Sequence, residues 1–176
     1  MKYLATWFSL LLICTSLFSQ TLLSDSASQS NAEKQGTTMA KLLLKKDYKG
    51  FTAFTYAPII KMAGGLDKMA SYMEQSFKGM ESEGFTIANV IIENCSKIIH
   101  TENQLQCTLT EVIELKHTDG KLIQKSTLIG ISNDKGANWT FIDTHGATLK
   151  VLQETIQELS NDLVIPELQE PEIISN

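Results

Sequence analysis

Across Ser82 to Phe85 the hydrophobic period of this chain changes, and that change limits its folds more than any other feature. Upstream, Leu66, Met69, Ala70, Met73, Phe77 and Met80 recur at helical spacing, while Asp67, Lys68, Glu74, Lys78 and Glu81 fall on the opposite side. Gly84 is placed to cap that helix in a left-handed conformation. Downstream the period is two, through segments 85–99, 104–116, 122–132 and 138–143, which are rich in Val, Ile, Thr and aromatics. Helices followed by a strand meander must bury a helical stripe and one face of each strand against one another. The pattern therefore predicts an α+β fold in which a curved antiparallel sheet wraps the long helix. Phe77 and Met73, central in the stripe, are expected among its most buried residues.

The length of 176 residues, with 43% of them hydrophobic and 20% charged, suits one domain with one core and excludes a disordered chain. All fifteen basic residues are Lys, against twenty acidic ones, for a net charge of −5. Recognition of nucleic acid needs clustered cations and favours the forked guanidinium group, so this composition excludes it.

Residues 1–20 read as an export signal: Lys2 gives a positive start, and an apolar run from Leu4 to Phe18 follows. The run is too short to span a bilayer, and no later segment is longer or more apolar, so no transmembrane segment is expected in the mature protein. The destination is periplasmic or secreted. Lipidation of Cys14 is disfavoured by the bulky Ile13 before it. Removing Lys2 with the leader leaves 14 basic and 20 acidic residues, a net charge of −6.

Segment 21–36, polar and without clear apolar periodicity, reads as a flexible linker, and the domain as 37–165. Three helices are expected before the sheet. The first carries Met39, Leu42 and Leu43; the second runs from an Asp47 cap through Tyr48 to Ala57, where Pro58 interrupts it before a short continuation from Ile59 to Met62; the third is the long stripe. Asp119-Gly120 signals a primed two-residue turn that pairs His117 with Leu122 and Leu115 with Gln124. Residues 148–159 form an added C-terminal helix, Leu163 to Ile165 anchor the chain, and 166–176 are an acidic, mobile tail.

Cys95 and Cys107 lie twelve apart around a polar turn, and they read equally as a disulfide or as two packed small hydrophobes. Pairing them requires a three- or five-residue loop or a bulge, since a two-residue turn at Glu102-Asn103 would put Thr110 opposite Cys95.

Asp47-Tyr48-Lys49-Gly50, Tyr56-Ala57-Pro58, Met62-Ala63-Gly64-Gly65, Gly84-Phe85 and Trp139-Thr140-Phe141-Ile142-Asp143 occur in the order and spacing of the nuclear-transport-factor-2-like superfamily. The chain resembles an exported bacterial branch of it over residues 37–165. The resemblance implies a cone-shaped, cystatin-like fold, often with a cavity between sheet and helices. It covers isomerases, dehydratases, cyclases and non-enzymatic binding modules alike, and no catalytic set of its characterised enzymes maps onto this sequence.

Tyr48, Tyr56, Met62, Met73, Trp139 and Asp143 are the candidate pocket residues: phenols to donate hydrogen bonds, thioethers to adapt to an apolar ligand, and one carboxylate. Each also has an ordinary core role. Asp143 and His145 could form an acid–base pair or simply end a strand. His100 and His117 have no companions at metal-ligand spacing, and 134–138 reads as a hairpin loop, so neither a metal nor a cofactor is expected. The sequence favours a non-enzymatic module that binds a small apolar molecule or a protein segment, with a homodimer through the sheet as a further reading. The alternative is an isomerase- or dehydratase-type enzyme using Asp143.

Overall fold

The computed structural model describes residues 23–175, so the leader read in 1–20, with Cys14, lies outside the described residues. Four helices precede the sheet: α1 (Asp25–Leu44), α2 (Tyr48–Thr52), α3 (Ala57–Met62) and α4 (Leu66–Ser82). The strands are β1 (Thr86–Glu93), β2 (Ile99–His100), β3 (Leu105–His117), β4 (Gly120–Ser132), β5 (Thr140–Asp143) and, after α5 (Leu149–Thr155), β6 (Glu172–Ser175). The fold is α+β with an open, six-stranded antiparallel sheet. Its main path is β1-β3-β4-β5, with β2 added to β3 and β6 to β4.

Most of the segment expected to be a linker is the first half of α1. Ser24 caps the helix by accepting from the amide of Ala27, and Asp25 sits in its first turn. The helix buries Ser28, Ala32 and Gly36, one residue per turn, followed by Met39, Ala40 and Leu43. This face is made of small residues because α1 lies close on β1: a Cβ on Gly36 would stand 2.8 Å from Cγ2 of Ile92. A stripe of small side chains carries little hydrophobicity, and composition alone reads it as polar. The consequence for α4 is a second correction. Only Ala70 is fully buried there, and Phe77 and Met73 are half-buried, because α1 occupies the central place expected for α4.

Pro58 starts a helix instead of interrupting one. It occupies the first turn of α3, where the missing N–H costs no hydrogen bond. The preceding residues leave α2 to meet β5: the amide of Phe141 donates to the carbonyl of Phe54, and the amide of Tyr56 donates to that of Phe141. Asp47 caps α2 as expected, accepting from the amide of Gly50 at 2.9 Å.

The β3–β4 hairpin turns one residue earlier than expected. His117 pairs with Gly120 and Leu115 with Leu122, leaving Thr118-Asp119 as the loop. The register moves by an even number, so every side chain keeps its expected face. Gly120, at φ 148°, belongs to the strand, and its missing side chain has a structural use. A Cβ there would overlap the carbonyl of Ile174, which pairs β6 against the start of β4. The tail is thus partly a strand, since β5 covers only Leu128–Ile131 of the β4 edge and leaves Gly120–Ile123 to β6.

Two core clusters occupy the two sides of the sheet. Leu109, Leu128, Trp139 and Phe141 pack with α1, whereas Ile129, Ile131 and Ile142 pack with Tyr56, Ile156, Leu159 and Leu163. The alternation of Leu128 and Ile129 between clusters is the two-residue period made visible.

Candidate functional site

Where β5 meets the helices, the packing leaves a cavity of about 310 Å³, at the lower end of small-molecule sites. Met39 of α1, Phe51 of α2, Ile59 of α3, Met69 and Met73 of α4 and Leu152 of α5 line it with apolar surface. Leu128, Phe141 and Ile142 complete the apolar wall from the sheet. Only a few polar groups reach it: Glu111, Asp143, His145 and Thr55.

Glu111 is the unusual member. On β3 it follows Cys107 and Leu109 and precedes Ile113 on the inward-facing row, so the pleat carries its carboxyl into the core side of the sheet. Its residue exposure is 4%. Ser126, its partner across the β3–β4 ladder, holds its carboxyl through a hydroxyl that donates to Oε2 at 3.2 Å. Burial, and next the negative charge of Asp143, push its pKa up to about 7 from the usual carboxylate range, with the Ser126 bond opposing them. Near neutral pH this carboxyl divides between a neutral acid that can donate a hydrogen bond and an anion that can accept a proton. Among the described residues no Lys pairs with it.

Asp143 ends β5 on the same cavity. Its Oδ1 accepts from the amide of His145 at 2.9 Å, and the imidazole Nδ1 stands 3.4 Å from Oδ2. The two residues read together in the sequence do touch, but His145 sits at φ 47° in a turn, with 85% of its side chain exposed. Asp143 orders that turn and faces Glu111 electrostatically.

The structure brings Met73 and Asp143 of the sequence candidates to this cavity and places the other four elsewhere. Tyr48 stacks on Phe77, with centroids 5.6 Å apart, beneath the α2–α4 packing. Tyr56 donates to Glu158 at 2.9 Å and accepts from Gln104 at 3.1 Å. Gln106, fully buried, extends that network by donating to the carbonyl of Glu158 and accepting from the amide of Ser160, so these groups fasten the residues after α5 to β3. Met62 is 64% exposed. Trp139 is a solid core residue whose indole N–H donates to the carbonyl of Gly136 at 3.1 Å.

Sequence reasoning missed Glu111. The available signal was parity: a Glu two residues after Leu109 and two before Ile113 occupies an apolar row and demands a reason. Among the described residues, no three His, Cys, Asp or Glu side chains converge as around a metal ion, and no helix is long and apolar enough to cross a membrane. Comparison with protein-family models, curated proteins and solved structures finds no match to the chain.

Proposed function

We propose that this chain is an exported binding module whose cavity takes one small, neutral, largely apolar molecule, with Glu111 anchoring a carbonyl or hydroxyl at its polar end. The observation that carries the reading is a nearly buried carboxyl in a mostly apolar cavity of ligand size. A group that costs several kcal/mol to desolvate is poorly explained as core filling, where Gln or Leu would serve at less cost. In its neutral form Glu111 donates to a ligand oxygen; in its ionised form it repels anions, which selects against fatty-acid carboxylates. The helix-then-sheet order supports the nuclear-transport-factor-2-like resemblance, whose implied cavity lies between the same two layers.

A thermal-shift screen of neutral steroids, small ketones and aromatic alcohols tests this. A ligand at a hundred times its Kd adds about 2.7 kcal/mol, which raises Tm by roughly 5 to 11 °C. A Met73→Trp variant that folds normally should lose the shift. Absence of any shift across the panel at pH 6 and pH 8, or a shift unchanged by Met73→Trp, sinks the pocket reading.

The pairing of Glu111 with Asp143 favours a second reading, proton transfer to and from a bound carbonyl compound, since two carboxyls with different environments can divide acid and base roles. Glu111→Gln separates the two. Under binding alone the variant still takes the ligand and no turnover exists to lose; under catalysis it binds the substrate but abolishes its conversion.

A further inference from the structure

On the sheet's helix-facing side, at the end away from the β3–β4 turn, two cysteines are held together by an irregularity in strand pairing. Glu93 faces Thr110 and Ile99 faces Gln106, so residues 94–98 run opposite only 107–109. Asn94 takes up the excess in the left-handed region, at φ 56°. Beyond it the pairing is re-established through side chains: the amide of Ser96 donates to the carbonyl of Thr108 at 2.8 Å, and the amide of Thr108 donates to the Ser96 hydroxyl at 2.9 Å. With Ser96 opposite Thr108 on one face, Cys95 and Cys107 share the other, where both pack in the cluster that faces α1 and each thiol perturbs the other.

The surroundings keep this pair in place. Helix α1 grips the bulge through Glu33, which accepts from the amide of Cys95 at 2.9 Å, and through Gln29, which donates to the carbonyl of Ser96 at 2.8 Å. Opposite, Gly130 leaves room for the inner sulfur, since a Cβ there would be 3.0 Å from Sγ of Cys107. The two thiols are unequal: Cys95 is partly exposed and Cys107 is fully buried.

We propose that Cys95 and Cys107 are a dithiol that closes to a disulfide by exchange with an external disulfide, Cys95 attacking first and Cys107 resolving. The Cys95 thiolate attacks one sulfur of a disulfide RSSR, forms Cys95–S–S–R and expels RS⁻, which takes up the proton Cys95 gave up. The Cys107 sulfur then attacks the Cys95 sulfur and the bond to R breaks. The proton of Cys107 leaves with the second RS⁻ as RSH. In sum the protein loses two electrons and two protons, and RSSR becomes two RSH. The neighbouring Cys107 holds the Cys95 thiol below its ordinary pKa, whereas Cys95 and burial push Cys107 up, which agrees with this order of attack.

The test uses the full chain carrying Cys14→Ser, native and reduced, exposed to oxidised glutathione and read by intact mass and peptide mapping. The expected product has lost two hydrogen atoms, retains no glutathione and yields a crosslinked 95–107 peptide pair. Cys107→Ser should instead trap one glutathionyl group on Cys95, and Cys95→Ser should stay unmodified while folded. Should Cys107→Ser fail to fold, a brief iodoacetamide pulse on the reduced parent gives the order, with Cys95 alkylated first. Native protein that keeps both thiols while its unfolded form oxidises, alkylation of Cys107 first, or a folded Cys107→Ser that takes no adduct each overturns the proposal.

Discussion

Glu111 lies where a Leu or Ile would complete the inward row of β3, and its chemistry makes stability depend on pH in an unusual direction for an acid. Its folded pKa, about 7, is above the unfolded value near 4.5, so between these limits the native state binds more protons than the unfolded chain. The contribution of this group is greatest below about pH 4.5, falls as pH rises through the interval, and levels off above 7. The loss from this group amounts to about 3 kcal/mol. Denaturant unfolding from pH 5 to 8 should show this decline in the parent. Glu111→Gln should flatten it and be the more stable protein at pH 8, because the amide still meets Ser126 and carries no charge. Asp143→Asn should make the decline smaller and end it at lower pH, since removing the facing charge lowers the Glu111 pKa. A parent curve with no decline would mean that the carboxyl is solvated. Asp143 and Met73 were legible because they stand at a strand end and on a helical stripe; Glu111 is passed over because segment 104–116 reads as a strand as a whole, without sorting its residues by face, and only the row of Leu109 and Ile113 marks the charge as inward.

Among the elements, α4 and the strands β1, β3, β4 and β5 were legible because large apolar side chains mark them at regular spacing. Helix α1 was half legible for the converse reason. Its buried face from Ser28 to Gly36 consists of small residues, and their purpose is the close approach of α1 to β1, a contact between segments some fifty positions apart that no local pattern contains. Gly36→Val tests how tight that approach is. The added side chain meets Ile92, and the resulting overpacking should destabilise the fold by about 1 to 3 kcal/mol, read from the denaturation midpoint. A midpoint that did not fall would show that α1 can stand away from the sheet. The hairpin register was misplaced because the Asp-Gly signal identifies a turn but not the use of Gly120 as the place where another backbone docks.

At the scale of the whole molecule, α1 and β3 are joined twice over, by packing and by the bulge that holds Cys95 to Cys107. Closing those cysteines removes freedom from the unfolded chain over the 13 residues from Cys95 to Cys107, a stabilisation of about 3 kcal/mol. The oxidised protein should therefore melt roughly 6 to 12 °C above the reduced one in calorimetry, and equal melting temperatures would show that the crosslink strains the native state. The order of helices before sheet was foreseeable from the change of period at Gly84, whereas a cavity between the two layers was expected only from the resemblance; the second core, behind the sheet, was not foreseeable, because it depends on where the residues after α5 return. The return of β6 to β4 also concerns the making of the chain. The edge at Gly120–Ile123 is translated well before its cover, since Glu172 follows Ile123 by 49 positions. At about 5 to 20 residues per second, a nascent chain carries an open strand edge for roughly 2 to 10 seconds, an interval in which neighbouring nascent chains on one messenger can pair with it before its own tail arrives.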